Sequence, residues 1–430
     1  MRKATTFSVA FVVVGCGSNT PDTDTIPESS FTTYHQTIKP ILDAKCVGCH
    51  VDGGIAPFAL TDYSLASEYA VAAAGAVTSQ RMPPWAPSSD CREYVGDRSL
   101  DPSQIDAINR WVADGMPEGD PATPGAALPD TVPKLSRVDV TLAIPEPYTP
   151  RPAAGKADDY RCFVVPWPST LTQTTFVTGF GAAPDDTAEV HHIIAFLAGP
   201  DDVATFHTLD ADDPGPGYTC FGGANGPVSG MIGGWAPGSL GSDLPPGIGL
   251  PVEAGSAIIL QVHYNLHDGA ARADQSSIQF KVDDTVERPG RVLPFTNPLW
   301  VRGAMPIAAG DPDASYAFEV DPTPFTGELE VFSAALHMHQ LGTRARAEIH
   351  RGDAGESRCL LSIEDWDFHW QGSYGFQRSE ILRTGDKLSI NCHWDNTAAN
   401  HDGGAPIDVN WGEGTADEMC LGFFLTAAPQ

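Results

Sequence analysis

The stretch V-F-S-A-A-L-H-M-H-Q-L-G, residues 331–342, sets both the fold class and the chemistry to be expected of this chain. Val331, Ser333, Ala335, His337 and His339 alternate with Phe332, Ala334, Leu336 and Met338. On a pleated strand, residues two apart point the same way. His337 and His339 are therefore expected on one face, close enough to share a metal ion. Upstream lie His191 and His192 in E-V-H-H-I-I-A-F, and His263 in L-Q-V-H-Y-N. Met419, in T-A-D-E-M-C-L-G-F-F, is the candidate third ligand for His337 and His339. The expectation is two metal centres in a β-rich chain, one of three histidines and one of two histidines and a thioether.

The chain has 430 residues, enough for several buried cores. Lys and Arg total 25 against 55 Asp and Glu, a formal charge of −30 that argues against a nucleic-acid partner. The acidic surface otherwise reads as ordinary solvation. Gly 43 and Pro 37 suit a loop-rich β protein.

At the N-terminus, Arg2 and Lys3 precede a short apolar run over residues 7–14, too short to span a bilayer as a helix. It ends in V-V-G-C, which resembles the lipobox of bacterial lipoproteins. That resemblance implies a signal over residues 1–16, lipidation of Cys16, and a protein held by a lipid anchor at the bacterial cell envelope, where disulfides persist. Residues 17–30 are polar and proline-bearing and read as a flexible tether.

C-V-G-C-H at Cys46, Cys49 and His50 reads as covalent attachment of a c-type haem, with His50 as an axial ligand of the iron. Met82, in Q-R-M-P-P-W, is the candidate second axial ligand, with Met116 as its competitor; Met/His ligation raises the haem potential. Residues 34–45 read as a helix leading into the motif. A second helix is expected after Asp101: Asp101 caps it, Pro102 occupies its first position and Gln104 completes a capping box. Ile105, Ile108, Trp111 and Val112 form its apolar stripe, and Gly115 ends it. Residues 31–118 thus resemble a small all-α cytochrome c domain. A proline-rich linker is expected over residues 119–145.

Beyond it helical periodicity is replaced by short alternating or β-branched segments, such as S-A-I-I-L-Q-V-H-Y and D-K-L-S-I-N-C-H-W, punctuated by Gly, Pro, Asn and Asp. That is the pattern of antiparallel sandwiches. A weak stretch over residues 283–297 divides the region into two halves. In the first half, neighbours on a flat strand face opposite sides, so His191 and His192 can ligate together only at a bend or a strand end. His263 shares a face with Ile259, Gln261 and Asn265. In the second half, two imidazoles and a thioether favour copper: soft sulfur suits Cu(I), imidazole suits both copper states, and zinc would recruit carboxylate or thiolate.

D-D-Y-R-C, E-V-H-H-I-I, Q-V-H-Y-N, H-M-H-Q-L-G, W-D-F-H-W-Q, G-D-K-L-S-I-N-C and T-A-D-E-M-C-L occur in this order along the chain. With them, residues from about 146 to 428 resemble the copper type II, ascorbate-dependent monooxygenases, the family of peptidylglycine α-hydroxylating monooxygenase and dopamine β-monooxygenase. The resemblance implies two jelly-roll-like antiparallel sandwiches, 146–288 and 289–430, each holding one copper and facing a solvent-filled cleft. It matches His191, His192 and His263 to the electron-storing copper, and His337, His339 and Met419 to the copper that binds O2 and substrate. It implies hydroxylation of a C–H bond in a small organic substrate, with electrons from an ascorbate-like donor or a redox protein. It also implies disulfides Cys162–Cys220 and Cys392–Cys420; Cys91 and Cys359 are left either bridging the haem segment to the second sandwich or free. In the peptide-amidating members, an arginine two residues before the H-x-H pair and a tyrosine four after the methionine anchor the substrate carboxylate. Here those positions hold Ala335 and Phe423, which points away from a peptide terminus and toward a less charged substrate.

The fusion suggests that the haem feeds electrons to the coppers one at a time. The alternative is a non-catalytic redox or copper-handling lipoprotein. His35, His207, His267, His350, His369, His393 and His401 read as surface or structural, with His207 and His369 the candidates for supporting roles beside the metals.

Overall fold

The computed structural model describes residues 32–52, 56–129, 132–154, 157–187, 189–220, 223–236, 239, 241–266, 271–352, 355–401 and 404–430. Cys16, the tether over 17–30 and His267 lie outside the described residues. The described chain is mostly β-sheet with few helices, consistent with β-sandwich domains. No helix among the described residues is long and apolar enough to cross a membrane.

The N-terminal segment is helical. A π-turn at Tyr34–Ile38 runs into α1 (Lys39–Lys45), followed by α2 (Tyr63–Thr78) and α3 (Pro102–Ala113). The capping box at α3 is formed: Gln104 N donates to Asp101 Oδ1 and Asp101 N to Gln104 Oε1, both at 3.0 Å. Tyr34, Ile38, Leu42, Ile108 and Trp111 meet in one core, onto which α2 packs a line of alanines, Ala66, Ala70 and Ala74. That spacing of four residues puts them on one face. Because they are small, no stripe of large apolar residues marks α2.

The stretch expected as a linker is ordered at both ends. Residues 117–125 fold back along the helices: Tyr34 N donates to Pro117 O, Gly125 N to His35 O, and Gln36 Nε2 to Asp120 O and Thr123 O. At its far end, β1 (Val140–Ala143) already belongs to a sheet. The prolines remove donors, but the carbonyls around them remain available as acceptors.

The strands of the first half are β2 (Asp158–Pro166), β3 (Thr175–Ala183), β4 (Val190–Ala198), β5 (Tyr218–Thr219), β6 (Gly230–Trp235), β7 (Ser242–Asp243), β8 (Ile248–Val252), β9 (Ala257–Asn265) and β10 (Ser277–Asp283). The second half contains β11 (Arg288–Phe295), β12 (Ala314–Val320), β13 (Leu329–His337), β14 (Gly342–Arg351), β15 (Glu356–Ile363), β16 (Tyr374–Leu382), β17 (Lys387–Trp394) and β18 (Leu421–Ala427). A five-stranded sheet runs β5-β2-β9-β4-β6 and a four-stranded sheet β12-β17-β14-β15. The remaining strands form a single nine-stranded sheet, β1-β10-β3-β8-β11-β18-β13-β16 with β7 on β3. The expected division near residues 283–297 is therefore bridged: β11 lies inside it and pairs in parallel with β8, Arg288 opposite Ile248. One core fills the space against the five-stranded sheet and another the space against the four-stranded sheet. The two cores meet where Phe332, Leu425 and Ala427 of the second half join the first. The expectation that helices end with the haem segment is corrected by α4 (Val203–Asp212), which buries Phe206 against the outer face of β2 and β9. With both faces covered, every residue of β9 is buried.

Part of the helical segment is built into the second sandwich. Residues 86–95 leave the helices and lie along two exposed sheet edges, β15 and β16. Pro87 bridges Ile363 and Tyr94 bridges Phe376. Ser88 N donates to Ser362 O at 2.8 Å, Val95 N to Gly375 O at 2.7 Å, and Tyr94 Oη to Leu360 O at 3.1 Å. The Arg92 guanidinium sits 3.8 Å over the Phe376 ring. Cys91 is bonded to Cys359, across a sequence separation of 268 residues, so the open pairing of these cysteines resolves to a bridge. Bare sheet edges are templates for unwanted pairing, and this strap covers two of them. Removing the Cys91–Cys359 bridge with a Cys91→Ser/Cys359→Ser variant should cost about 2–4 kcal/mol, because it closes a long loop; a lowered denaturant midpoint, followed by tryptophan fluorescence, checks this.

Candidate metal centres

Three imidazoles converge at the end of the five-stranded sheet. The ligand atoms of His191, His192 and His263 all lie within 4.8 Å of one another. His192 Nδ1 is 3.4 Å from His191 Nδ1 and 3.3 Å from His263 Nδ1. Two nitrogens about 2.0–2.1 Å from a shared ion, at a tetrahedral angle, stand about 3.3 Å apart. The spacing fits a bound ion and does not fit three imidazoles satisfying one another, since each neutral ring has a single N–H.

The local device is a β-bulge. Val190 pairs with Tyr264 and His192 with His263, so His191 is the extra residue on β4. Two residues facing one partner turn the bulged side chain out of strict alternation. This is the bend that adjacent histidines require. The D-D-Y-R-C segment on β2 supports the group residue by residue. Asp158 Oδ1 accepts from His263 Nε2 at 2.9 Å and from Asn265 Nδ2 at 2.7 Å. Tyr160, directly opposite His263, stacks on its ring at 4.0 Å. On the other face of β2, Asp159 accepts from Tyr148 Oη, and Arg161 ties down Pro216 O and Gly217 O. Cys162 is bonded to Cys220.

Burial, then the neighbouring rings His263 and His369, hold His191 down to about 3, and His192 lies well below its ordinary range for the same first reason. All three rings are thus neutral, the form that offers a lone pair. Burial would raise the Asp158 carboxyl, but the His263 and Asn265 hydrogen bonds bring it to about 2. It therefore stands as a carboxylate and fixes the His263 tautomer with Nδ1 toward the group. His191 Nε2 is buried without a partner.

The second group forms where β13 ends. The His337 and His339 rings are 5.0 Å apart, His337 at the last position of the strand and His339 just beyond it. The alternation upstream is corrected by an irregularity between Val331 and Ser333: Phe332 turns into the first core, while Val331 joins Ala334, Leu336 and Met338 in the second. His337 Nδ1 meets Gln371 Oε1 at 2.6 Å, and His339 Nδ1 meets Asp417 O at 3.0 Å. In each ring the Nδ1–H is spent, leaving Nε2 as the lone-pair donor. Burial holds both rings neutral, His339 down to about 3. His337 pairs with Leu421 on antiparallel β18, a register that brings the buried Met419, two residues earlier, to the level of His339.

A buried carboxylate organises this end. Glu418 Oε2 accepts from His339 N, Met419 N and Trp394 Nε1, and Oε1 accepts from Leu341 N. Burial pushes Glu418 up to about 7, against the pull of these donors. The Cys392–Cys420 bridge fixes the same segment. Gly342 closes the H-M-H-Q-L-G turn because a Cβ there would sit 2.9 Å from both Met338 Cε and Trp366 Cδ1.

The two groups are neighbours. The segment W-D-F-H-W-Q, residues 366–371, runs between them: Trp366 Nε1 donates to His339 O, Gln371 supports His337, and Phe368 stacks on His191 at 4.9 Å and meets His339 at 6.1 Å. Phe368 is thus the ring that lies beside both groups. His369, exposed beside His191 at 6.2 Å between rings, is near the first group, whereas His207 lies on the exposed side of α4. His350, His393 and His401 bond to Ser389, Asp313 and Asn396, as structural residues would. Asp158, Tyr160, Phe368, Gln371 and Glu418 carry the support of both groups and were not singled out from sequence, although each sits inside a quoted motif.

At the C-V-G-C-H turn, His50 Nδ1 meets Phe58 O at 3.0 Å, leaving Nε2 for a ligand. Cys46 and Cys49 are free thiols, while the other six described cysteines are bridged. Cys46, Phe58, Met82 and Met116 pack on the same helical core. This donor set fits a covalently held haem.

Comparison with known proteins places a family match in the second half. Residues 319–427 match the family described as copper type II ascorbate-dependent monooxygenase, C-terminal domain. His337, His339 and Met419 fall within the match. The chain is 25% identical over 211 residues to DBH-like monooxygenase protein 1 of Gallus gallus, covering 44% of this chain and 32% of that protein. It is 24% identical over 208 residues to MOXD1 homolog 1 of Drosophila melanogaster, covering 46% and 28%. The matched stretch thus spans about a third of the length of these curated relatives. The similarity is thus to a copper monooxygenase domain and to monooxygenase-like proteins, over part of the chain. Likeness to the infectious bursal disease virus VP2 subviral particle covers 70% of this chain and 75% of that one, at 12% identity and a TM-score of 0.16, and carries no argument.

Replacing Glu418 with alanine strands a tryptophan N–H and three backbone N–H groups, at about 1–3 kcal/mol for each buried donor left unsatisfied. Glu418→Ala should therefore unfold at a markedly lower temperature than Glu418→Gln, as calorimetry would show.

Proposed function

We propose that this protein is a copper monooxygenase that hydroxylates a C–H bond of a small, uncharged organic molecule with O2, and that a c-type haem in its helical segment supplies electrons. The observation that carries the proposal is the pairing of two unlike, neutral donor groups that both meet Phe368: the Nδ1 atoms of three histidines in one, and in the other the Nε2 atoms of His337 and His339, with Met419 at the register level of His339. The second lies inside the residues that match the copper family. Bound at these groups, copper would supply one-electron chemistry and O2 activation. Haem held by Cys46 and Cys49, with His50 and Met82 on the iron, would supply a reducible one-electron store.

The protein residues have separable tasks. Asp158 and Tyr160 orient His263, Gln371 and Asp417 orient His337 and His339, and Glu418 keeps Met419 at their level. The substrate side of the second group is uncharged. Ala335 and Phe423 lie directly opposite each other across β13 and β18, both half-buried, and Ala335 is two residues before His337 on the same strand. A small residue facing an aromatic one offers an apolar wall with no cation for a carboxylate. On this reading the lipobox at Cys16 would hold the enzyme at an envelope membrane.

Loaded protein should carry two coppers, and His263→Ala and His337→Ala should each lose one by elemental analysis. Haem should remain attached on denaturation, and a Cys46→Ser/Cys49→Ser variant should lose it. With ascorbate and small apolar candidates, the parent should consume O2 and incorporate ¹⁸O from ¹⁸O2; a copper-replete parent that consumes none points instead to a redox or copper-handling role. Ala335→Arg should raise KM for an uncharged substrate about tenfold, a loss of about 1.4 kcal/mol of binding.

A further inference from the structure

Resting on the copper and haem assignment above, we propose that Trp85 and Tyr374 form an electron relay from the haem segment directly to the His337–His339–Met419 group, so that electrons from the haem enter at the second sandwich rather than through the three-histidine group.

The route is laid out by the strap. Trp85 follows Met82 after two prolines and begins the segment that docks on β15 and β16. Its half-buried ring meets the buried ring of Tyr374 edge-on, with centroids 5.4 Å apart. Tyr94 packs against both, at 6.3 Å from Trp85 and 6.0 Å from Tyr374. The Tyr374 ring folds back over Gly372, where a Cβ would stand 3.1 Å from both Cζ and Oη. The residue before Gly372 is Gln371, whose Oε1 lies 2.6 Å from His337 Nδ1. From the residue offered to the haem iron to the imidazole offered to copper, each step is therefore a covalent bond or a packed contact. The strap's hydrogen bonds, disulfide and ring contacts run to residues 359–378, all in the second sandwich. Toward the three-histidine group the chain offers a further span, through Phe368.

The step balances simply. With both groups bound, ferrous haem iron would become ferric and a cupric ion held by His337, His339 and Met419 would become cuprous. One electron moves, and no bond or proton changes place. Trp85, Tyr374 and Gln371 supply the coupling and are not consumed. Electron transfer falls steeply with gaps in packing, so contiguous aromatic contact is the property that matters.

The test uses full-length protein loaded with haem and cupric copper. A light-driven pulse reduces the haem without O2. Its reoxidation is followed in the haem absorption band, and loss of the cupric signal by electron paramagnetic resonance. Trp85→Leu and Tyr374→Leu should slow reoxidation on the order of tenfold or more, with haem potential and copper content unchanged. Trp85→Phe and Tyr374→Phe, which keep a ring in place, should restore most of the rate. His263→Ala, lacking the first copper, should leave the rate as in the parent. Unchanged rates in both leucine variants, or loss of transfer in His263→Ala, would overturn the relay while leaving a copper monooxygenase standing. A parent in which bound copper never reoxidises the haem would also overturn it. Protein without attached haem would remove the donor and take down the assignment on which the relay rests.

Discussion

The carboxylate of Glu418 is the constraint on which the second candidate metal group depends. It is fully buried, yet it is surrounded by donors: three backbone N–H groups from the two chain segments that carry His339 and Met419, and the indole of Trp394. A buried carboxyl group is tolerated only when its oxygens are filled in this way, and burial still pushes its titration up to about 7. The benefit is geometric. One side chain pulls the turn after β13 onto the approach to β18, and the imidazole and the thioether arrive together because their backbones share an acceptor. The disulfide from Cys420 to Cys392 acts on the same segment from the other side.

The rest of the molecule joins parts that the sequence presents as separate. The nine-stranded sheet runs through both halves by way of the β8–β11 pairing. The 366–371 segment touches both candidate metal groups, and Tyr160 of the first half donates to Glu413 O just before the Met419 segment. The helical segment contributes residues 86–95 to the edges of the second sandwich. Burial is the first cause that keeps all five histidines neutral, with the neighbouring rings adding to it at all but His263, so the donor atoms stand ready in their ligand form.

What was legible in the sequence follows from the range of the forces involved. The α3 helix could be read because its cap, its proline and its apolar stripe are local signals, and the hydrogen bonds at Asp101 and Gln104 bear this out. The face of β9 could be read because Ile258, Leu260, Val262 and Tyr264 alternate, and all four enter one core. The α2 helix was missed since its buried line is alanine, which carries helix propensity but little amphipathic contrast. The strap escaped notice because pairing between residues near 90 and near 360 leaves no local trace; only the two unassigned cysteines pointed to it. At the candidate metal groups, the clustering histidines and their two-residue spacing were visible, while the supporting residues were not. Asp158, Gln371 and Glu418 act through partners far away in sequence, and a lone acid or amide has many uses.

The single extra residue in β4 has a consequence for how this protein can vary. Substitutions beside His191 and His192 alter packing, but the strand's length determines which way each imidazole faces. Loss of one residue there would restore regular pairing and send one ring through the sheet to the opposite side, whereas gain of one would put the register of the whole strand out of step with β9. A substitution along β4 is thus a local change of packing, whereas an insertion or deletion changes the face each imidazole takes.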